Sequence, residues 1–262
     1  MEAGFWEWLE MVSDNHLPIH VYLIVQHFDR FLWGAVITLQ LTFAALITGA
    51  LLCVPLAIAR TSTRGGINKP VWIYTYCFRG TPLLVQTYLI YYGLGQFEVI
   101  RESFLWEPVL SSAWWCAYIA FTLNTTAYTT EILRGAIATT PAGEVEAARA
   151  CGMSRWTVLR RIVLPSALRR SLPAYSNEVI FMLHASVIAS TITLQDILGV
   201  GRWLNGRYYL AYEGFITSAV LYLILVYCIT RGFGWWEKRW MAHLREREPT
   251  TASGAGTSVL GR

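Results

Sequence analysis

The sequence has little charge and almost no lysine. Only 15% of its 262 residues are charged, against roughly 25% in soluble domains, while 55% are apolar and the mean hydropathy is +0.40. Lysine occurs only as Lys69 and Lys238, and neither follows a glycine-rich loop of the form GxxxxGK[ST]. The composition therefore indicates a membrane protein. The absence of a phosphate-binding loop excludes ATP hydrolysis by that route in this chain.

Patterns typical of catalytic and metal sites are also lacking. The five cysteines are scattered, and no two have the spacing of a metal or redox site. We expect them to be small buried side chains. No HExxH, Cys/His cluster or Ser–His–Asp arrangement occurs, so we predict no catalytic and no metal-binding residues.

Long apolar runs dominate what is present. A membrane-spanning helix needs about 20 mostly apolar residues. We predict an all-α integral membrane protein with five transmembrane helices: Phe31–Ala59, Val71–Phe97, Ala113–Ala138, Leu172–Ile192 and Phe215–Trp236. The third and fourth are the most polar, so they should face protein or a water-filled path rather than lipid.

The basic residues set the orientation. Sixteen Lys and Arg residues lie between spans 1 and 2, near the end of span 3 and between spans 3 and 4, or at and beyond the end of span 5, against four on the other side. Positive loops stay in the cytoplasm, so we predict a periplasmic N-terminus and a cytoplasmic C-terminus. Residues 1–30 are predicted to be an outer interfacial segment anchored by Phe5, Trp6 and Trp8. Residues 244–262 are predicted to be a disordered cytoplasmic tail.

The largest cytoplasmic loop, residues 141–170, is basic and helical in pattern. Gly152 should interrupt a first short helix, and Ser154 is a candidate N-cap for a second one. We expect Pro165 to end that second helix, because proline cannot continue the backbone hydrogen-bond ladder. Arg160 and Arg161 fit anchors at the membrane surface as well as contacts with another protein.

This loop resembles the EAA loop of binding-protein-dependent ABC importer permeases. The resemblance rests on Glu146-Ala147-Ala148, then Gly152, then Ile162-Val163-Leu164-Pro165 at the family's spacing. In that family the loop carries a coupling helix that docks on a cytoplasmic ATPase. The resemblance therefore implies an ATPase-coupling role for six residues: Glu146, Ala147, Ala148, Gly152, Met153 and Ser154.

Other stretches narrow the resemblance to the polar amino acid subfamily. They are 79–86 (RGTPLLVQ), 121–131, 173–180, 182–184 and 237–240, and they are most similar to M-type permeases of histidine/lysine/arginine/ornithine and opine importers. The resemblance implies a type I (MetI-like) permease domain over residues 31–243. It further implies ATP-driven import of amino acids, expected to be basic ones (histidine, arginine, lysine or ornithine), by alternating access, with opines or other polar amino acids as the alternative.

Such a permease works in a complex in the bacterial inner membrane. The resemblance implies a second homologous permease, two ABC ATPases, a periplasmic substrate-binding protein and no nucleic acid. ATP and magnesium would be used by the ATPases, so we expect no cofactor in this chain.

Polar residues within the spans are candidates for the substrate path, because ionisable groups at membrane depth usually have a function. Several recur at helical spacing on spans 3 and 4. Two others lie in span 2, one just before and one within Gly80–Pro82, where we expect the helix to loosen. The predicted path residues are Arg79, Thr81, Asn124, Tyr128, Glu131, Asn177, Glu178 and His184.

A cationic amino acid needs a carboxylate for its side chain, from Glu178 or Glu131, and a donor for its own carboxylate, from Arg79. The structural alternatives are an ion pair between Arg79 and a glutamate, or between Glu131 and Arg134 one turn away. Thr81 fits helix–helix hydrogen bonding equally well. His184 fits either a hydrogen bond across a dimer interface or a pH-sensitive group.

Two other classes remain open at this level. A membrane-embedded enzyme would use Glu131, His184 and Glu178, but an enzyme of this kind would not need the basic loop with its EAA spacing. A scaffold subunit without a transport path predicts that removal of the intramembrane charges leaves uptake unchanged. A permease predicts loss of uptake with normal assembly.

Overall fold

The computed structural model describes residues 21–240, and their regular structure is entirely helical. The predicted aromatic anchors Phe5, Trp6 and Trp8 and the predicted tail 244–262 lie outside the described residues. The α-helices follow in this order: α1 (Val21–Gln26), α2 (Phe28–Arg60), α3 (Gly65–Gly80), α4 (Leu83–Tyr88), α5 (Glu98–Arg101), α6 (Ala113–Ala138), α7 (Ala142–Ala150), α8 (Arg155–Val158), α9 (Leu164–Ala185), α10 (Ile197–Tyr208) and α11 (Ala211–Trp240).

Within the described residues, two helices are long and apolar enough to cross a membrane, namely α2 and the part of α11 over Ala211–Trp236. A third span results if the bent pair Arg155–Ile192 and Ile197–Tyr208 is counted as one. The 33 residues of α2 extend about 50 Å at 1.5 Å per residue. This length exceeds the hydrocarbon thickness of about 30 Å. The helical membrane fold is confirmed, whereas the number of five spans stays a prediction.

The second predicted span is broken in the middle. Helix α3 ends at Gly80, and Thr81 and Pro82 are extended before α4 begins at Leu83. A residue that precedes proline is pushed out of the helical region by the proline ring, and Thr81 has φ −113° and ψ 143°. The expected loosening at Gly80–Pro82 is therefore present as a complete break in the helix.

Pro165 does not end a helix, and that prediction was wrong. Helix α8 passes into a π-helical turn, Leu159–Val163, and α9 starts at Leu164 and runs to Ala185. Pro165 therefore lies in the first turn of α9, where its missing N–H leaves no helical hydrogen bond unmade. The π-helical turn changes the hydrogen-bond register just before the proline. Because Pro165 starts α9 instead of ending the preceding helix, α9 begins eight residues before the predicted fourth span, Leu172–Ile192.

The core lies where α2 and α6 pack side by side. Their contact contains small residues, as expected for helices that associate in lipid. A Cβ on Gly49 would lie 2.6 Å from the Thr125 methyl carbon, so the two backbones approach closely there. The buried cluster at this contact also receives side chains from α9 and the following 3-10 turn: Leu41, Ala45, Leu46, Ala117, Ala120, Phe121, Val179, Met182, Ala189 and Ile192.

The cysteines divide into two groups. Cys53 and Cys116 are buried, as predicted, and both are free thiols. The other three, Cys77, Cys151 and Cys228, are exposed on the single chain, so the prediction of burial was wrong for them. Cys77 and Cys228 lie on α3 and α11. A cysteine on such a helix can have apolar surroundings without being buried in the protein, because lipid is itself apolar.

Helices α10 and α11 cross at two glycines, which makes a stability prediction possible. A Cβ on Gly214 would lie 2.5 Å from the carbonyl oxygen of Gly201, whereas a Cβ on Gly232 of the same helix meets no atom within 4 Å. We expect Gly214→Ala to destabilise the protein by about 1–3 kcal/mol, as overpacking does elsewhere. Thermal unfolding in detergent measures the loss, and Gly232→Ala is the matched control. Equal midpoints for the two variants would contradict the close crossing.

Candidate functional site

A cavity of about 690 Å³ opens beside the break between α3 and α4. Its volume lies within the range of roughly 300–1,000 Å³ that is usual for ligand pockets. Helices α6 and α9 form its other walls. The lining residues are Arg79, Gly80, Thr81, Pro82, Leu83, Asn124, Tyr128, Ile132, Ala174, Asn177, Glu178, Phe181, Met182 and Ala185.

The helix break that forms one wall is held by two side-chain amides. Pro82 has no N–H to donate to the carbonyl oxygen of Phe78, four residues earlier. The Gln86 Nε2 atom donates to that oxygen at 2.8 Å and to the Thr81 carbonyl oxygen at 3.0 Å. Asn124 Nδ2 also donates to the Phe78 oxygen, at 3.1 Å, and to Gln86 Oε1, at 3.1 Å. The amides thus replace the backbone donor that the proline lacks.

Gln86 is a site residue that the sequence reasoning missed. It is the last residue of the RGTPLLVQ stretch, and it is buried. A polar amide four residues after a proline within an apolar run indicates a side chain that donates to the backbone at a helix break. The proline leaves an unpaired carbonyl oxygen near the same helix face, and in an apolar environment that oxygen needs a donor.

Opposite charges line the cavity. Arg79 is exposed, its guanidinium carbon lies 5.3 Å from the centre of the Tyr128 ring, and the Tyr128 hydroxyl donates to the Arg79 carbonyl oxygen at 3.3 Å. Glu178, on α9, is only 7% exposed, and its Oε1 atom accepts a hydrogen bond from the Thr125 hydroxyl at 2.9 Å. A guanidinium and a carboxylate therefore share a cavity walled mainly by apolar groups.

Glu131 lies outside this cavity, in a cluster of charges toward the other end of α6. Its Oε1 atom accepts from Arg60 Nε and from the Thr75 hydroxyl, both at 3.0 Å, and its Oε2 atom accepts from Arg134 Nε at 2.6 Å. The structural alternative of a Glu131–Arg134 pair is thus confirmed. The next residue, Ile132, does line the cavity, so Glu131 is kept out by the direction of its side chain, which points to Arg60 on α2 and Thr75 on α3.

Six of the eight predicted path residues meet at the cavity. They are Arg79, Thr81, Asn124, Tyr128, Asn177 and Glu178. His184 is exposed and is not among the lining residues, although its neighbour Ala185 is. The six therefore form one site, and Glu131 and His184 belong to other surfaces.

A second site is the elbow, which we define as residues 141–163 between α6 and α9. Its first helix, α7, ends in a Schellman motif. The Met153 N–H donates to the Ala148 carbonyl oxygen at 3.2 Å, and the Gly152 N–H donates to the Arg149 carbonyl oxygen at 2.9 Å. Gly152 has φ +78°, the left-handed conformation that this motif requires and that glycine adopts without strain.

The second helix of the elbow is capped as predicted. The Ser154 hydroxyl oxygen accepts a hydrogen bond from the Thr157 N–H at 3.2 Å, which confirms Ser154 as the N-cap of α8. Gly152, Met153 and Ser154 therefore define the turn between the two short helices by their backbone conformation and hydrogen bonds.

The two alanines of the elbow differ in exposure. Glu146 and Ala147 are exposed, whereas Ala148 is buried against a small apolar core that contains Val158 and Val163. Ala148 therefore holds the elbow together, and Glu146 and Ala147 present its outer surface. Trp156, 63% exposed, adds a large apolar side chain to the exposed part of the elbow.

The chain is similar to known proteins over most of its length. Residues 52–241 match the family model described as the binding-protein-dependent transport system inner membrane component. The chain belongs to this family. It is 45% identical over 217 residues to the octopine transport system permease protein OccM of Rhizobium radiobacter, covering 83% of this chain and 88% of that protein.

A second relative of this permease is the histidine/lysine/arginine/ornithine transport system permease protein HisM of Salmonella typhimurium. The two are 42% identical over 234 residues, which cover 87% of this chain and 100% of HisM. Among solved structures, the permease resembles a chain of an amino acid ABC transporter crystallised with histidines. The TM-score is 0.73 at 31% identity, and the match covers 82% of this chain and 96% of that one.

A more distant structure supports the fold alone. The inward-facing MetNI methionine ABC transporter matches with a TM-score of 0.69 at 19% identity and covers 82% of this permease and 98% of that chain. The MetI-like permease fold expected from the resemblance is thereby confirmed. Within residues 21–240, no group of three or more His, Cys, Asp and Glu side chains is placed to hold a metal ion.

Proposed function

We propose that this permease moves basic amino acids through the cavity between α3, α4, α6 and α9. The single observation that carries the proposal is that Arg79 and Glu178 line the same cavity. The guanidinium of Arg79 suits the α-carboxylate of a substrate, because arginine binds carboxylates with two parallel hydrogen bonds. The Glu178 carboxylate suits a cationic side chain in a site with mainly apolar walls.

The relatives support the same substrate class. The names of HisM and OccM describe carriers of histidine, lysine, arginine and ornithine and of octopine. An opine is therefore the second candidate substrate for this chain. Both candidates place a cation and a carboxylate in one molecule, which matches the two charged walls of the cavity.

The proposed machine is a complex in the bacterial inner membrane. This chain pairs with a second homologous permease, a periplasmic binding protein delivers substrate, and two ABC ATPases use ATP and magnesium on the cytoplasmic side. The basic elbow faces those ATPases, with the N-terminus periplasmic and the C-terminus cytoplasmic. Substrate then crosses by alternating access as the elbow transmits ATPase closure to α6 and α9.

The test is import by the complex purified with its partner subunits and reconstituted in proteoliposomes. We expect ATP-dependent uptake of labelled L-arginine that unlabelled L-lysine or L-histidine suppresses and L-glutamate does not. Uptake of labelled octopine without uptake of labelled L-arginine would indicate the opine alternative. Uptake without preference for cationic molecules would overturn the proposal for the substrate.

A further inference from the structure

Arg170, on the second turn of α9, makes contacts that neither the family resemblance nor the charge pattern assigns. Its Nη2 atom donates to the Ala136 carbonyl oxygen at 3.0 Å and to the Thr140 hydroxyl at 2.8 Å. Its Nη1 atom donates to the Ser166 hydroxyl, one turn back on α9, at 2.5 Å. The two ends of one guanidinium thus bind α9 and the C-terminal end of α6.

The acceptor on α6 is the Ala136 carbonyl oxygen near the helix end, which also accepts from the Thr139 hydroxyl at 3.1 Å. Helix α6 ends at Ala138, and the last four carbonyl oxygens of a helix have no intrahelical N–H partner. The carbonyl end of a helix also carries partial negative charge, which a cation stabilises. A guanidinium donated from a neighbouring helix therefore caps α6 at the point where the elbow begins.

The same place joins two apolar clusters. Ile137, next to Ala136, packs against a buried cluster formed by Cys53, Ala57, Leu133 and Ala167. It also packs against the small apolar core of the elbow that contains Ala148. Through the Ile137 side chain the apolar contact is continuous from the spans to the elbow. Arg170 fixes the backbone beside it.

We infer that Arg170 is a positioning residue that clamps the two ends of the elbow, so that α6 and α9 move as one unit when the elbow is displaced. The inference rests on the proposed function, because it assumes that the elbow receives the movement of the ATPase. Without the clamp, displacement of the elbow would separate Thr140 from α9 instead of moving both helices. ATP hydrolysis would then continue with little transport.

The experiment compares ATP hydrolysis with import of labelled L-arginine in proteoliposomes that contain the whole complex and its binding protein. For Arg170→Met we expect normal subunit assembly and ATPase activity, while the ATP consumed per imported arginine rises about tenfold, within the usual range of coupling between sites. Arg170→Lys should recover part of the loss, since one ammonium cannot reproduce the two-ended guanidinium. The matched control is Arg169→Met: Arg169 is exposed, and within residues 21–240 no hydrogen bond joins it to α6.

A double-mutant cycle separates clamping from general destabilisation. Thr140→Val removes one acceptor of Arg170, and we expect the double variant to be no worse than Arg170→Met, because both changes break the same contact. Additive losses, or a normal ratio of ATP to arginine in Arg170→Met, would overturn the inference. Loss of the ATPase subunits from the Arg170→Met complex would also overturn it, since Arg170 would then shape the docking surface. A normal ratio of ATP to arginine in both Arg170→Met and Gly152→Val would contradict the coupling role of the elbow itself. A raised ratio in Gly152→Val but not in Arg170→Met would contradict only the role of Arg170 as a clamp.

Discussion

Replacement of Gly152 by valine is expected to reduce ATP-driven uptake strongly while the protein still inserts in the membrane. At φ +78° a residue with a Cβ pays about 1–2 kcal/mol, and a β-branched one is a genuine outlier. No atom lies within 4 Å of a Cβ at Gly152, so the cost comes from the backbone and not from a collision. Loss of the Schellman motif moves Met153 and Ser154 and reorients α8. We expect uptake of labelled L-arginine to fall at least about tenfold, the factor for about 1.4 kcal/mol.

Gly152→Asn is the control for this prediction. Asparagine enters the left-handed region several times more readily than other non-glycine residues, and the space around Gly152 admits its side chain. The asparagine variant should therefore keep most of the uptake, with the same membrane yield as the valine variant. If both variants transport equally well, the geometry of the turn is irrelevant to coupling.

The sequence was most informative where one residue determines a local conformation. Pro82 predicted the break in the second span, Ser154 predicted a helix start, and Gly152 predicted a turn, because each restricts its own backbone. Pro165 shows the limit of such reasoning. Whether a proline ends a helix or begins one depends on the register of the preceding hydrogen bonds, and the π-helical turn at Leu159–Val163 changes that register without a distinctive residue.

Long-range placement was harder to predict than residue type. Asn124 and Glu131 were predicted to share a helical stripe, yet Asn124 lines the cavity and Glu131 does not. The side of α6 that faces the cavity depends on how α3, α4 and α9 pack against that helix. The partners of Glu131 include Arg60 and Thr75, which lie 71 and 56 residues away in the chain. The contact of Arg170 with Ala136 likewise spans the whole elbow. No local pattern reveals such pairs.

Replacement of Glu178 by glutamine is expected to change which amino acids the complex imports. Glutamine has the shape of glutamate and keeps an oxygen that accepts from the Thr125 hydroxyl, so only the charge in the cavity is lost. Hydrogen bonds to a charged group are worth about 1.5–3 kcal/mol, which corresponds to a loss of about 10- to 150-fold. We expect kcat/KM for ATP-driven import of L-arginine to fall by that factor. Competition between labelled L-arginine and unlabelled L-glutamine measures the change in preference.

Glu131→Gln makes the same chemical change in the neighbouring charge cluster, and it separates selectivity from stability. Glu131 is only 11% exposed, and its neutralisation leaves Arg60 and Arg134 facing each other without a carboxylate between them. Loss of one partner from a fully buried ion pair costs about 3–5 kcal/mol. The Arg134 side chain is 37% exposed, so we expect a smaller loss here, seen as lower yield and a lower unfolding temperature in detergent. The remaining folded complexes should still prefer arginine over glutamine, because Glu131 does not line the cavity. A loss of preference in Glu131→Gln, or its retention in Glu178→Gln, would place the recognition of the cation outside the cavity between α6 and α9.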